Sequence, residues 1–327
     1  WRRPGGVGRL RKPACSRSVA AMTPEIEISE VGPRDGLQAL QATMPTAAKR
    51  AWIATLAEAG LREIEVGSFV PAKLLPQMAD TAEIVAFART LPGLCVAALA
   101  PNARGTAHAI EAGVQKITLP LSVSRSHSLA NVRKTPDEMV EQVRQSCRLR
   151  DAALARPQIE AGLSTAFGCT IEGEVAESEV IRLAIAAIEA GADEVGLSDT
   201  TGMANPAQIR RVIEAVRGAI GAKLTGVHLH NTYGLGLANA LAAYECGIRT
   251  FDASQAGLGG CPHAPGATGN IVTEDLVYMF ASMGVRTGID LERLMEGRRI
   301  LAETFPAEPL YGYLPAAGLP KTWRRAD

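Results

Sequence analysis

An eightfold alternation of short β-like runs and longer, Ala-rich helical runs predicts an α/β fold: a closed (β/α)8 TIM barrel with a short C-terminal helical extension. Three observations point there. The repeat recurs about every 30 residues, room for a strand, a helix and two connections, and such alternation builds a parallel sheet. The first strand is followed by Gly32-Pro33-Arg34-Asp35-Gly36, which is not the GxGxxG turn of an open, dinucleotide-binding sheet. Polar side chains stand at nearly every strand end, where a barrel gathers its βα loops on one face.

Strands are expected at 25–31, 63–69, 95–100, 116–123, 158–166, 194–199, 224–230 and 250–254. Helical segments at 46–59, 136–155, 175–190, 206–220 and 235–246 lie between them. Several close on glycine, at Gly60, Gly113, Gly191 and Gly247, which supplies the left-handed residue that ends a helix. The barrel is expected to occupy 22–286, and 287–327 to add a helix over 290–305 and a Pro/Gly-rich tail. Residues 1–21 hold five Arg, one Lys and no acid, a composition similar to an organellar leader. Met22 stands directly before the first strand, so 1–21 is read as upstream sequence or a tag. A cytoplasmic location is then expected, and a mitochondrial matrix location if the leader is genuine.

With 47% hydrophobic residues and no net charge over 327 residues, the chain is long enough for one large domain. The even charge balance gives no footprint for nucleic acid, and no apolar run reaches the length of a membrane span. The six cysteines (Cys15, Cys95, Cys147, Cys169, Cys246 and Cys261) show no CxxC spacing, so reduced thiols are expected and not a disulfide frame or zinc site.

His228 and His230 stand at i, i+2 in Val227-His228-Leu229-His230-Asn231, so on a strand both imidazoles project to one face. Such a pair is half of a metal site, against the plainer reading of two satisfied histidines. Arg34 and Asp35 follow strand one, Glu65 lies in strand two opposite Ile64 and Val66, Asp199 ends strand six, and Cys261 follows strand eight. Asp35 with His228 and His230 makes a mixed N/O set suited to Mg²⁺ or Mn²⁺, although an Asp in that position can equally serve a turn. The glycine-rich run from Gly257 to Asn270 suits a lid with Cys261 near its tip, and it lacks the GK[ST] of a P-loop.

These residues resemble the hydroxymethylglutaryl-CoA lyase family, within the metal-dependent Claisen-type barrels. The matching segments run Val31-Gly32-Pro33-Arg34-Asp35-Gly36-Leu37-Gln38, Ile64-Glu65-Val66-Gly67-Ser68-Phe69-Val70, Ser198-Asp199-Thr200-Thr201-Gly202, His228-Leu229-His230-Asn231-Thr232-Tyr233-Gly234, and Ala256-Gly257-Leu258-Gly259-Gly260-Cys261-Pro262 leading to Gly269-Asn270. The resemblance implies cleavage of a 3-hydroxy-3-methylglutaryl-CoA-like acyl-CoA to acetyl-CoA and a 3-keto acid. It implies Asp35, His228, His230 and Asn270 as ligands of a divalent cation, Arg34 as the partner of the developing enolate, and Cys261 as a catalytic thiol. Glu65 and Asp199 would lie near the substrate hydroxyl. An acyl-CoA is thus the expected partner, without nucleic acid or membrane, and a homodimer the expected assembly. A condensing synthase of the isopropylmalate or homocitrate type and a non-catalytic metal-binding barrel are the alternatives.

Two positions depart from the family pattern. Asn231 stands where the lyases usually carry Asp, and Glu160 with Gly162 replaces an arginine and a tyrosine in strand five. A carboxylate there is expected to repel an acidic acyl group, unless Arg125 or Arg133 supplies a cation.

Overall fold

The computed structural model describes residues 24–259 and 269–323. The expected boundary at 21/22 and the first 21 residues lie outside them. Eight strands, β1 (Glu27–Glu30), β2 (Glu63–Ser68), β3 (Cys95–Leu99), β4 (Lys116–Ser122), β5 (Gln158–Ser164), β6 (Glu194–Asp199), β7 (Leu224–Leu229) and β8 (Thr250–Ala253), pair in sequence order and close on β1. Every pair is parallel. The ring of helices is α1 (Thr46–Glu58), α2 (Thr81–Ala88), α3 (Ala103–Ala112), α4 (Arg125–Val132), α5 (Pro136–Ala152), α6 (Glu177–Glu189), α7 (Pro206–Ile220), α8 (Gly236–Glu245) and α9 (Thr273–Ser282). The extension adds α10 (Leu291–Thr304) and the short α11 (Tyr313–Ala317). Among the described residues no helix is long and apolar enough to cross a membrane, and Cys95, Cys147, Cys169 and Cys246 are free thiols.

The alternation of strand side chains separates two environments. Ile64, Val66, Ile117, Leu119, Ile159, Leu163, Val195, Leu197, Val227, Leu229 and Phe251 are buried in the layer between barrel and helices. The helices return matching faces, such as Ile209, Val212, Ile213 and Val216 of α7. The four glycines expected to end helices all have positive φ. After β4 the chain turns at once into α4, with the Ser124 hydroxyl accepting from the His127 amide at its start.

The interior of the barrel is charged. Lys116, at the start of β4, reaches Glu63 at 3.1 Å, Glu160 at 2.9 Å and Glu194 at 3.0 Å. This corrects the expectation for Glu160. The cation facing it comes from the barrel interior on the neighbouring strand and not from Arg125 or Arg133, so Glu160 is no bare negative charge awaiting a substrate. Gly196 makes room for it, because a Cβ there would fall on Glu160 Oε1. Burial pushes the Glu160 carboxyl up to about 7, with Lys116 pulling the other way.

Removing the cation from this cluster should be expensive. Lys116→Met leaves three carboxylates facing one another out of water, and an expected loss of roughly 3–5 kcal/mol is readable by urea denaturation. A near-neutral result would mean that the carboxylates find other partners. The raised carboxyl also has a pH signature. The folded chain holds that proton to higher pH than the unfolded chain, so its contribution is complete below about pH 4.5 and is lost as pH rises to about 7. The melting temperature should therefore fall less steeply across that range in Glu160→Gln than in the wild type.

Candidate active site

The chain leaving β1 makes a single wide turn, Gly32–Gly36, in which Asp35 N and Gly36 N both return to Val31 O. On an extended strand Arg34 and Asp35 would point to opposite faces; the π-type turn brings both into the barrel mouth, a common place for such irregularities. Arg34 Nε donates to Glu65 Oε2 at 2.5 Å and Nη1 to Asp35 Oδ1 at 2.5 Å. The expectation that Glu65 faces inward, away from Ile64 and Val66, is met by this contact.

Asp35 is the meeting point. Its Oδ1 also accepts from Gln38 Nε2 at 3.1 Å, and its Oδ2 accepts from Asn270 Nδ2 at 2.7 Å and lies 4.0 Å from His228 Nε2. Burial opposes its charge, but Arg34, His228, His230 and the Asn270 amide together bring its carboxyl down to about 2. Asp35, His228 and His230 each offer a ligand atom within 4.8 Å of the others, a candidate metal-binding group.

His228 lies on β7, whereas His230 falls one residue beyond it, not inside the strand as expected. Past Leu229 the chain is captured by the returning loop: Ile271 N donates to Leu229 O, Asn231 N to Gly269 O, and His230 forms an isolated antiparallel bridge with Asn270. That capture delivers Asn270 to the histidine pair. Gly259 is needed for it, with φ +107° and space for a Cβ only 2.6 Å from Asn270 Nδ2.

Three observations bear on whether these residues suit a cation. Asn270 Nδ2 is committed to Asp35 and to Leu258 O, which fixes the amide with its Oδ1 buried and without a hydrogen-bond donor among the described residues. His228 Nε2 and His230 Nε2 stand 3.1 Å apart, and two nitrogens at right angles about an ion, each about 2.1 Å away, would be about 3.0 Å apart. Burial and the neighbouring His228 bring His230 down to about 3, so it is a neutral imidazole at neutral pH. The donor set fits a divalent ion.

Asp252 was not singled out from the sequence. It faces His228 across the β7–β8 register and accepts from His228 Nδ1 at 3.1 Å. The contact at Nδ1 orients the ring so that Nε2 faces Asp35 and His230. Its place in the expected strand 250–254 was visible; its pairing with His228 required the register. Three carboxylates, Asp35, Glu65 and Asp252, thus surround one guanidinium.

Asp199 ends β6 as expected, but its oxygens accept from Met203 N at 3.0 Å and Ala204 N at 3.1 Å, which folds the loop entering α7. Burial raises its carboxyl to about 6 against those amides. Asn231, the departure from the family pattern, uses its Oδ1 to accept from Gly236 N at the start of α8. Cys261 lies outside the described residues.

A closed parallel barrel with an Asp–His–His group at the C-terminal mouth is the architecture of a barrel enzyme with a candidate metal site. The chain belongs to the HMGL-like family, whose model matches residues 25–301. It is 40% identical over 279 residues to the hydroxymethylglutaryl-CoA lyase YngG of Bacillus subtilis, covering 85% of this chain and 93% of that protein. It is 36% identical to the mitochondrial hydroxymethylglutaryl-CoA lyase of Bos taurus, covering 92% of each. An HMG-CoA lyase from Acinetobacter baumannii, solved with coenzyme A and 3-methylmalate, superposes with a TM-score of 0.85 at 38% identity, covering 91% of this chain and 97% of the other.

Asp252 offers a direct check on the histidine geometry. Asp252→Asn should weaken Mn²⁺ binding by about 10- to 100-fold in a calorimetric titration while the fold is retained. Unchanged affinity would show that His228 is oriented without it.

Proposed function

We propose that this protein is a carbon–carbon lyase, dependent on Mg²⁺ or Mn²⁺, that cleaves a 3-hydroxy-3-methylglutaryl-CoA-like acyl-CoA to acetyl-CoA and a 3-keto acid. The observation that carries the reading is the buried Asn270 Oδ1, without a donor among the described residues, beside Asp35 and the paired His228 and His230 nitrogens. The matches to lyases over most of the chain favour cleavage over a condensing synthase. The relative solved with coenzyme A and 3-methylmalate holds a thiol carrier and a hydroxy acid, the ligand class proposed here.

Asp35, His228, His230 and Asn270 are assigned to hold the ion. When bound, it supplies Lewis acidity that eases loss of the proton from the substrate's tertiary hydroxyl near neutral pH. Arg34 keeps donors to spare, since its two described ion pairs use only two of its five N–H groups. Breaking the carbon–carbon bond leaves the enolate of a thioester, and a guanidinium facing its oxygen stabilises that charge without surrendering a proton. Glu65 holds Arg34 by Nε, which fixes the plane of the fork. Cys261 is assigned as the acid that protonates the enolate carbon, and Asp199 shapes the adjoining loop while retaining acceptor capacity towards the substrate.

A cleavage assay with 3-hydroxy-3-methylglutaryl-CoA and Mg²⁺ or Mn²⁺ tests the reaction. Turnover should vanish on chelation and return with the metal; full activity in chelated enzyme would remove the reading. Arg34→Lys keeps the charge and loses the fork, so kcat should fall by about 10²–10³-fold with metal affinity within a few-fold. Cys261→Ser should lower kcat by at least about 10²-fold with little change in KM. If that variant turns over normally, the proton comes from another group.

A further inference from the structure

We propose that Glu30 is a positioning residue, a single buried carboxyl group that ties together the three segments carrying Arg34 and Asp35, the entry to the glycine-rich loop, and Asn270. It ends β1 and is fully buried. Its Oε1 accepts from Gly32 N at 2.9 Å and from Gln255 N at 2.8 Å, and its Oε2 accepts from Thr273 Oγ1 at 2.7 Å. Gly32 opens the turn that delivers Arg34 and Asp35. Gln255 begins the turn that leads into Gly259, and Thr273 follows shortly after Asn270 at the start of α9.

The bond to Gly32 is local, two residues along the chain, but those to Gln255 and Thr273 join β1 to segments far away in sequence and are not dictated by local structure. Gln255 is itself fixed from both ends of its amide: Oε1 accepts from Trp52 Nε1 at 2.6 Å, and Nε2 donates to Leu294 O at 2.6 Å. The extension helix α10 is thereby part of the same frame, and Gly297 gives Gln255 room, since a Cβ there would stand 2.7 Å from Gln255 Oε1. Gly32 is equally confined; a Cβ would lie 2.5 Å from Glu30 Oε1 and 2.9 Å from Trp52. Burial raises the Glu30 carboxyl to about 8, with nearby Glu274 adding to the rise and the three donors opposing it. Glu274 in turn is bonded to Ala256 N and Arg298, which keeps its oxygens off Glu30. A group so costly to bury persists when every donor around it is placed for it.

This inference rests on the reading of Asp35 and Asn270 as ligands, and one readout is chosen to be independent of it. Glu30→Asp shortens the side chain by one methylene, so the carboxyl cannot reach all three donors at once. Amide hydrogen exchange in the metal-free chain should then rise together in 31–37, 254–259 and 269–273, and Mn²⁺ affinity should drop by about tenfold. The kcat should fall by more than KM changes. Thr273→Val, which removes one link at nearly constant volume, should give a smaller change in the same direction and decides the matter if Glu30→Asp does not fold. Faster exchange confined to the neighbours of the substituted residue, with Mn²⁺ binding as in the wild type, overturns the proposal. A wild type that fails to bind Mn²⁺ would instead overturn the ligand reading, and the exchange pattern alone would then judge Glu30.

Discussion

Keeping the Asp35 carboxylate ionised away from bulk water is the constraint on which the mouth of this barrel depends. Burial alone would drive it to take up a proton. Arg34, His228 and the Asn270 amide reverse that outcome, delivered by the turn after β1, by β7 and by the segment before α9. The wide turn after β1 supplies the arginine on the same side as the aspartate. The extra-strand pairing of His230 with Asn270 supplies the amide. The resulting group carries more carboxylate than guanidinium, an imbalance that suits the divalent cation proposed for it.

The interior charge also explains how the barrel differs from one filled by apolar layers. Its lower part is held by Lys116 and three glutamates, its upper part by Arg34 with Asp35 and Glu65. Buried ion pairs of this kind add little net stability, yet removing one partner strands the others. Apolar packing is assigned instead to the layer between strands and helices, where α7 and α10 present continuous faces. The extension is part of the structural frame: α10 holds Gln255 through Leu294 O, and Arg298 reaches Glu274 and the carbonyls of Leu310 and Tyr311.

Much of this was legible in the sequence because strands and helices announce themselves locally. All eight strands fall where the alternation placed them, with ends moved by one or two residues. The i, i+2 spacing of His228 and His230 and the position of Arg34-Asp35 after strand one were equally local. What stayed hidden depends on register between strands. Asp252 is an ordinary strand residue until β7 is laid beside β8, and Glu160 reads as an uncompensated charge until β4 is laid beside β5 and Lys116, two residues out of register, reaches it. His230 reads as strand by its pattern, and only the distant 269–271 segment pulls it out of the ladder. Glu30 belongs to the same class, since its three donors come from two other segments and a turn.

The account turns on two imidazoles and two oxygen ligands converging on one ion. Pulsed electron paramagnetic resonance of the protein loaded with Mn²⁺ tests this most directly, because imidazole nitrogens bound to the ion modulate the echo. One Mn²⁺ per chain is expected, with coupling to two histidine nitrogens that falls to one in His230→Ala. An ion coordinated by oxygen alone, or histidine coupling unchanged in that variant, would contradict the central assignment.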